Sequence, residues 1–432
     1  MSLKKVLIIS YYWPPSGGSG VQRWLKFVKY LPEFGIEPHV YTPLNPDFNI
    51  QDKELLKEIP KEAVVIKKKI IEPYGFYRAF MGNKNSNVNL GEIGAKNDKS
   101  FKNKITKWIR GNIFIPDPRI LWRKPSIKFL KNYIVENNID TIISTGPPHS
   151  MHLIALGLKK DNPKLSWIAD FRDHWTNIGY FDELSLTKAS KSKYFKLEKE
   201  VLLTADTVLA IGKTFAEELS VIGAKNVKVI TNGYDENQYL NQSVERSQDK
   251  FIVSYIGLLS SIRNPEEFWE AIVMSLKEIE GFDKKLIIRL VGKVDETVKK
   301  SIENHGLNDF VEYLGMVSHS EAVKFQLSAD LLLLLIDKSA NAKGILTGKF
   351  FEYMSSQRPI LAIGPIDGDV AEMLAETNSG GIYDYEDING IIKSLKSSFE
   401  LFKEGKLETN SNSFSKYSRR ELTRELSKII LA

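Results

Sequence analysis

The chain has 432 residues, of which 42% are hydrophobic, and this is enough apolar material for two packed cores. It contains no cysteine, which excludes disulfides and thiolate chemistry, and its formal charge of +6 is too modest to indicate a nucleic-acid binder. No His, Asp and Glu spacing indicates a metal site, and no apolar run reaches the roughly 20 residues that span a bilayer. We therefore expect a folded, cytoplasmic protein of two domains.

Short apolar runs alternate with helical patterns along the chain, which predicts parallel sheets of the doubly wound α/β class. Seven predicted strands cover residues 6–10, 37–42, 63–67, 141–144, 165–169, 207–211 and 227–230. Five more follow at residues 251–256, 285–291, 311–314, 331–335 and 360–363. A polar stretch, 237–249, separates the two series. We predict an N-terminal Rossmann-like domain at 1–240, a second at 250–410, and a C-terminal segment at 411–432 with a helix over 415–430.

A glycine-rich loop follows the first predicted strand, in the run Pro-Pro-Ser-Gly-Gly-Ser-Gly-Val-Gln-Arg that ends at Arg23. Such a loop at a helix N-terminus suggests a dinucleotide site. However, Arg23 stands where the third glycine is needed, and the second strand ends at Thr42 without an acid for a ribose. A nicotinamide-dependent oxidoreductase is therefore disfavoured, and the glycines can also serve only the strand-to-helix turn.

Polar loops follow the fourth and fifth predicted strands, where a parallel sheet usually carries its site residues. The first loop reads Ser-Thr-Gly-Pro-Pro-His-Ser and includes His149, and the second reads Asp-Phe-Arg-Asp-His-Trp and includes Arg172 and Asp173. A structural alternative is that His149 caps the next helix and that Arg172 and Asp173 form a local ion pair.

The stretch 74–130 is rich in Lys and Arg and has little strand pattern. Phe101, Ile105, Trp108 and Ile109 recur in it at helical spacing. A basic amphipathic helix of this kind can lie on an anionic membrane surface, or it can pack its aromatic residues on the domain and expose its charges.

Residues 343–364 are typical of a phosphate-binding turn, a short helix and a buried strand. Thr347 is placed to act as the N-cap of the helix, whose first N–H groups would then face an anion. Lys349 and Glu352 are three residues apart and share a helical face. The first suits a phosphate, and the second suits two vicinal hydroxyls such as those of a ribose. An ordinary surface Lys/Glu pair is the alternative.

The pattern Lys-x-x-Glu-Tyr of residues 349–353, with Pro-Ile-Leu at 359–361, resembles the donor-nucleotide segment of glycosyltransferase family 4. These are retaining enzymes of the GT-B fold. The resemblance implies two Rossmann-like domains that face an interdomain cleft, with the last helix packed back on the N-terminal domain. It also implies that Glu352 binds the ribose. A second family carboxylate falls here at Gly344, so one expected contact to the donor sugar is missing.

The resemblance extends to other loops and supplies the remaining candidate residues. Many family members carry a Gly-Arg pair where this chain has Gly257 and Leu258, so a cationic clamp on the diphosphate falls to Arg263 and Lys349. By resemblance, the donor nucleotide is bound by Glu352, Lys349, Arg263, Gly257, Thr347, Gly348 and Val317. The acceptor half of the cleft is lined by Gly17, Gly18, Ser19 and Arg172. The candidate catalytic residues are Arg263, Lys349, Asp173 and His149.

The family resemblance implies a retaining, metal-independent hexosyltransferase that uses a UDP- or GDP-linked sugar as substrate and needs no other cofactor. Its acceptor would be a glycan or a lipid-linked molecule in surface polysaccharide synthesis, at the inner face of the membrane if the acceptor is a lipid. Two alternatives stay open: a noncatalytic GT-B protein that binds sugar nucleotides or glycans, and a GT-B sugar-nucleotide epimerase.

Overall fold

The computed structural model describes residues 3–47, 50–72, 101–177, 181, 184–239, 244–409 and 413–432. The chain divides into two compact units, the first made of Met1–Thr231 with Leu422–Ala432 and the second of Asn232–Glu421. This division falls ahead of the domain limits that the sequence predicts at 240 and 250. Residues 74–100, the first part of the predicted basic segment, lie outside the described residues.

The first unit is built on a parallel sheet in which each strand predicted from the sequence is present, with ends shifted by one or two residues. Its strands are β1 (Lys4–Ile9), β2 (Ile36–Pro43), β3 (Val64–Lys68), β4 (Thr141–Gly146), β5 (Ser166–Phe171), β6 (Thr207–Ala210) and β7 (Val227–Val229). They lie in the order β3-β2-β1-β4-β5-β6-β7. The strand order reverses between β1 and β4, which is the position where doubly wound sheets bind ligands.

The second unit has a parallel sheet of the same type. Its strands are β8 (Phe251–Ile256), β9 (Leu286–Val291), β10 (Val311–Gly315), β11 (Leu331–Leu335), β12 (Ile360–Ile363) and β13 (Gly380–Tyr383), in the order β10-β9-β8-β11-β12-β13. The sequence does not predict β13, because this edge strand contains two glycines and is only partly buried, so it has no apolar run.

Helices alternate with the strands in both units. In the described part of the chain, those of the first unit are α1 (Ser19–Tyr30), α2 (Phe101–Asn112), α3 (Arg123–Glu136), α4 (Ser150–Asp161), α5 (Lys188–Thr204) and α6 (Lys213–Ile222). The second unit has α7 (Glu266–Glu278), α8 (Phe282–Lys285), α9 (Glu296–Asn304), α10 (His319–Ser328), α11 (Gly348–Ser355), α12 (Asp369–Thr377) and α13 (Ile388–Lys403). The last helix is α14 (Arg419–Leu431). None of the helices described is long and apolar enough to cross a membrane.

Each sheet has a core on both of its faces, because helices cover both sides. In β1, Leu7 and Ile9 belong to one apolar cluster and Val6 and Ile8 to another. The leucines of β11 alternate in the same way between the two clusters of the second unit. This two-sided burial explains why the central strands read as continuous apolar runs.

The C-terminal helix contributes to the core of the first unit. Leu422, Leu426 and Ile430 are spaced four residues apart, so they lie along one face of α14, and they are buried in the cluster that contains Val6 and Ile8. The predicted start at residue 415 is too early, since residues Phe414–Tyr417 form a separate 3₁₀ turn.

Candidate functional site

The carboxyl ends of β8, β9 and β10 are drawn together by glycines. The Gly257 N–H donates to the Val291 carbonyl (2.7 Å), and the Gly292 N–H donates to the Gly315 carbonyl (2.7 Å). A Cβ on Gly292 would lie 2.4 Å from the Gly257 oxygen, and both residues have a positive φ, 131° at Gly257 and 121° at Gly292. Glycine is therefore required at both positions. The backbone of Gly257 is consequently open to close approach by a side chain or a ligand.

Lys349 makes that close approach from the first turn of α11. A Cβ on Gly257 would lie 2.7 Å from the Lys349 Nζ, and the Nζ stands 3.9 Å from the centre of the Tyr255 ring in a cation–π contact. Burial lowers the pKa of Lys349 to about 7, and the positive charge of Arg263 acts in the same direction. The strand end and the helix are also joined directly, because the Ile256 N–H donates to the Tyr353 hydroxyl (2.9 Å).

Arg263 lies at the end of a short 3₁₀ turn, Ser261–Arg263, and binds the carboxylate of Asp337. Its Nε donates to the Oδ1 of Asp337 and its Nη2 donates to the Oδ2 (3.1 Å), which makes a bidentate pair. Hydrogen bonding to Asp337 raises the pKa of Arg263 above its ordinary value, so the guanidinium stays charged. The Tyr255 hydroxyl, which donates to the Leu258 carbonyl (2.9 Å), also meets the Arg263 side chain.

Glu352 is half-buried one turn after Lys349 and has a fixed orientation. Its Oε2 accepts a hydrogen bond from the Gln326 Nε2 (3.2 Å), and the Gln326 Oε1 in turn accepts one from the Tyr239 hydroxyl (2.7 Å). Gln326 is almost completely buried. The carboxylate is thereby held in place on the same helical face as the cation, as its spacing predicts.

The turn ahead of α11 differs from the prediction in one respect. Thr347 stands at the N-cap position, but its side chain makes no capping hydrogen bond, and Gly348 is the first helical residue. The turn is supported instead by Asn232, whose Nδ2 donates to the Leu346 carbonyl (3.4 Å). Val317 is partly buried beside the start of α10.

The structure thus brings together four of the predicted donor-side residues, Gly257, Arg263, Lys349 and Glu352. It adds three residues that the sequence interpretation missed, Tyr255, Asp337 and Gln326. One signal could have found Asp337, since it comes directly after the apolar run of β11, at the strand end where site residues are expected. Tyr255 and Gln326 lie within a strand and a helix and carry no such signal.

In the first unit, Arg172 connects two of the predicted loops. Its Nη1 donates to the Gly20 carbonyl (2.7 Å) and its Nη2 donates to the Pro147 carbonyl. The glycine-rich loop is further held by the Gly17 N–H, which donates to the Ile50 carbonyl (2.9 Å), and Gly18 precedes α1 with a φ of 83°. The side chain of Ser19, another predicted cleft residue, lies outside the described part of the chain.

His149 belongs to a stack of rings next to Arg172. Its ring lies parallel to that of Trp175, with the centres 4.6 Å apart, and His152 stacks on Phe171 at 4.5 Å. Burial lowers the pKa of His149 well below its ordinary value and that of His152 to about 3, and Arg172 adds to both effects. His149 is therefore neutral, and it makes no side-chain cap to α4. Asp173 is exposed beside this cluster.

Arg23 has a structural role. It forms a fully buried ion pair with Asp170 (2.8 Å), which also accepts hydrogen bonds from the Trp24 Nε1 (2.7 Å) and the Thr145 hydroxyl (2.8 Å). The guanidinium also donates to the carbonyls of Ile230 (2.8 Å) and Thr231 (2.7 Å). Arg23, which stands in place of the third glycine of a dinucleotide loop, is therefore hydrogen-bonded to other parts of the protein.

Solved structures match the chain along its whole length. A glycosyltransferase from Rickettsia africae gives a TM-score of 0.65 at 13% identity, covering 100% of this chain and 99% of that one. HepE from Anabaena, solved in complex with UDP-glucose, gives 0.57 at 13% identity and covers 99% of both chains. UDP-GlcNAc 2-epimerase from Methanocaldococcus jannaschii gives 0.50 at 14% identity, again with 99% of both chains covered.

At these identities the likeness shows the fold, and the predicted fold class is confirmed: the chain has the GT-B fold, with two Rossmann-like parallel-sheet domains. No protein-family model and no curated protein matches the sequence, so membership of glycosyltransferase family 4 stays a prediction.

Proposed function

We propose that the protein transfers a sugar from a nucleoside-diphosphate sugar to an acceptor. The observation that carries the proposal is the group formed by Lys349, Arg263 and Glu352 at the carboxyl end of the second sheet. Two cations suited to a diphosphate stand beside a held carboxylate suited to a ribose. The GT-B fold, shared with a structure that contains UDP-glucose, supports a UDP-linked donor.

In this proposal the cations act on the leaving group. The nucleoside diphosphate gains negative charge as the glycosidic bond breaks, and Lys349 and Arg263 stabilise that charge. Glu352 accepts hydrogen bonds from the ribose hydroxyls, and Gly257, Thr347, Gly348 and Val317 complete the donor site. Retention at the anomeric carbon and independence of metal ions are carried over from the family resemblance.

The residues of the first unit are proposed to serve the acceptor side. Gly17, Gly18, Ser19 and Arg172 would line its binding surface, with His149 and Asp173 as candidates for contact with the reacting hydroxyl. Because His149 is neutral, we propose that it acts through hydrogen bonds rather than through charge.

A glycan or lipid-linked acceptor is proposed, in surface polysaccharide synthesis on the cytoplasmic side of the membrane. Support for membrane contact comes from α2, a basic helix in which Trp108 is 45% exposed, and from Ile113, just after it, which is 57% exposed. Vesicle co-sedimentation with anionic lipid, compared between the intact protein and Trp108→Ser, tests this contact. Equal sedimentation of the two proteins would remove α2 as the contact.

The proposed donor site is tested by calorimetric titration with UDP, GDP, ADP and NAD. We expect one nucleoside diphosphate to bind at micromolar strength and Glu352→Ala to weaken that binding about a hundredfold or more, because two charge-assisted hydrogen bonds of about 1.5–3 kcal/mol each are lost. Glu303→Ala, an exposed glutamate in α9 of the same unit, is the matched control and should leave the dissociation constant unchanged. An unchanged constant for Glu352→Ala would remove Glu352 from the site.

Two other functions are compatible with the same fold. An epimerase is favoured by the structural likeness to UDP-GlcNAc 2-epimerase, but the lack of a carboxylate at Gly344 weighs against the acid–base chemistry it needs. A noncatalytic binding protein is favoured by the departures at Leu258 and Gly344. Product analysis separates the three, since a transferase gives a glycosylated acceptor, an epimerase gives an epimeric sugar nucleotide, and a binding protein gives neither.

A further inference from the structure

Asp337, which binds Arg263, stands on a fixed piece of backbone. The Ile336 N–H, next to it at the end of β11, donates to the Ile363 carbonyl of β12 (3.0 Å). The Asp337 carbonyl accepts hydrogen bonds from the Tyr385 hydroxyl (3.0 Å) and from the Ser339 N–H (2.9 Å). The backbone that carries its carboxylate is therefore fixed at the carboxyl end of the central strand β11.

Arg263, by contrast, lies on a short exposed turn and not on a strand. It ends a three-residue 3₁₀ turn and follows Ile262, which is 78% exposed. A long arginine side chain on such a turn has many rotamers to choose from. The bidentate pair with Asp337 fixes the plane of the guanidinium and leaves its remaining N–H groups directed away from the carboxylate.

The carboxylate also balances the charge around Tyr255. Lys349 lies over the face of this ring and Arg263 meets its hydroxyl, so two cations share one tyrosine. Arg263 disfavours the charged form of Lys349, whereas Asp337 favours it. Without Asp337, the two groups needed for a diphosphate would oppose each other's charge.

We propose that Asp337 is a positioning residue of the donor site: it holds the Arg263 guanidinium in the orientation that receives the diphosphate, and it offsets the repulsion between Arg263 and Lys349. This inference rests on the proposed function. In this role Asp337 acts through the two cations and not on the reacting atoms. The opposite role is competition with the ligand, because a carboxylate and a phosphate bind the same pair of arginine N–H groups.

The two roles predict opposite changes in affinity for UDP, GDP and ADP, measured by titration of the full-length variants. Positioning predicts that Asp337→Asn weakens binding of the preferred nucleotide about three- to fivefold, within the range measured for exposed charge pairs. Asp337→Glu, which keeps the charge but moves it, should recover part of that loss. Asp367→Asn removes a carboxylate from another ion pair of this unit, with Lys343 (2.6 Å), and should change affinity less than twofold.

A second arm tests whether Asp337 works through Arg263. In the Arg263→Ala background, Asp337→Asn should weaken binding less than it does in the otherwise unaltered protein, because the group that it positions is gone and only its effect on Lys349 is left. A purely structural role at the end of β11 would give the same loss of affinity in both backgrounds.

Each other outcome is decisive. Tighter binding by the Asp337→Asn variant would identify Asp337 as a competitor and overturn the inference. Unchanged binding by this variant, with Arg263 present, would also overturn it. An equal loss of affinity with and without Arg263 would overturn it as well. If the unaltered protein binds none of the nucleotides, the proposed function itself fails, and this inference fails with it. Asp337→Glu keeps the test valid if the asparagine variant does not fold.

Discussion

Lys349 is closely packed and has a lowered pKa. Its Nζ packs on the face of the Tyr255 ring and against the Gly257 backbone, and burial brings its pKa to about 7. Near neutral pH the free protein is therefore a mixture of the charged and neutral forms. Because a diphosphate at the proposed site would favour the charged form, we expect its binding above pH 7 to be coupled to the uptake of a proton.

We expect the affinity for the nucleoside diphosphate to fall as the pH rises from 7 to 9, approaching a tenfold loss per pH unit, since the neutral lysine must first be protonated. Below pH 7 the free lysine is already charged, so the affinity no longer depends on its titration. Calorimetry at pH 7 and above avoids the titration of the terminal phosphate, whose pKa is about 6.

Two variants serve as controls for this pH dependence. Lys349→Arg keeps its charge throughout the range, so its affinity should vary little with pH. Lys349→Met should bind weakly at every pH. If Lys349→Arg shows the same slope as the unaltered protein, another group is responsible.

At this scale, the sequence predicts the residues that share one local element and misses those that meet across the fold. The shared helical face of Lys349 and Glu352 follows from their spacing, whereas their predicted role at a nucleotide and that of Arg263 come from the family resemblance. Asp337 and Gln326 reach the site from other elements, far away in the sequence. Their contacts depend on strand order, which no local pattern specifies.

At the scale of elements, the same distinction explains which strands were found. Buried central strands such as β11, five consecutive leucines, are recognisable by composition. The edge strand β13 contains Gly380 and Gly381 and is only partly buried, so it lacks the pattern of either a buried or an alternating strand. Strand ends shift by one or two residues because hydrogen bonding, and not apolar character, sets where a strand stops.

Two helices of the second unit begin at a hydroxyl residue, but they use it differently. In α10 the Ser318 hydroxyl accepts from the Glu321 N–H (3.3 Å), and the Glu321 carboxylate accepts from the Ser318 N–H (3.0 Å), which forms a capping box. In α11 the Thr347 side chain makes no such bond.

Ser318→Ala should therefore lower the free energy of unfolding by about 1 kcal/mol, whereas Thr347→Ala should change it by less than about 0.5 kcal/mol. Urea unfolding followed by circular dichroism measures both. Equal losses would mean that Thr347 caps α11 after all.

At the scale of the whole molecule, the second unit begins earlier in the sequence than the composition suggests. The polar stretch 237–249 is the part of the chain that reads as a linker, yet the second unit begins at Asn232. The reason is that Asn232 and Tyr239 already bond to residues of the second unit, Leu346 and Gln326. Polar composition marks exposure to solvent, and it does not mark the point where packing partners change.

The buried pair of Arg23 and Asp170 should control the stability of the first unit. Asp170→Ala leaves the guanidinium buried without its partner, so we expect a loss of about 3–5 kcal/mol in the free energy of unfolding. The double variant Arg23→Met with Asp170→Leu should lose much less, because no charge is left unpaired.

Tryptophan fluorescence during denaturant unfolding is a suitable measurement, since all of the seven tryptophans except Trp269 precede residue 232 and report on the first unit. A double variant as unstable as Asp170→Ala would show that hydrogen bonding by Asp170, and not the unpaired charge, dominates.

The contribution of α14 to the first core has a consequence for biosynthesis. Leu422, Leu426 and Ile430 fill places beside Val6 and Ile8, but the ribosome makes them after residues 232–421. Domains generally fold as units in the order in which they are synthesised. Here α1 already covers much of that face with side chains such as Trp24 and Leu25, but the places filled by α14 stay exposed until the second unit has been made.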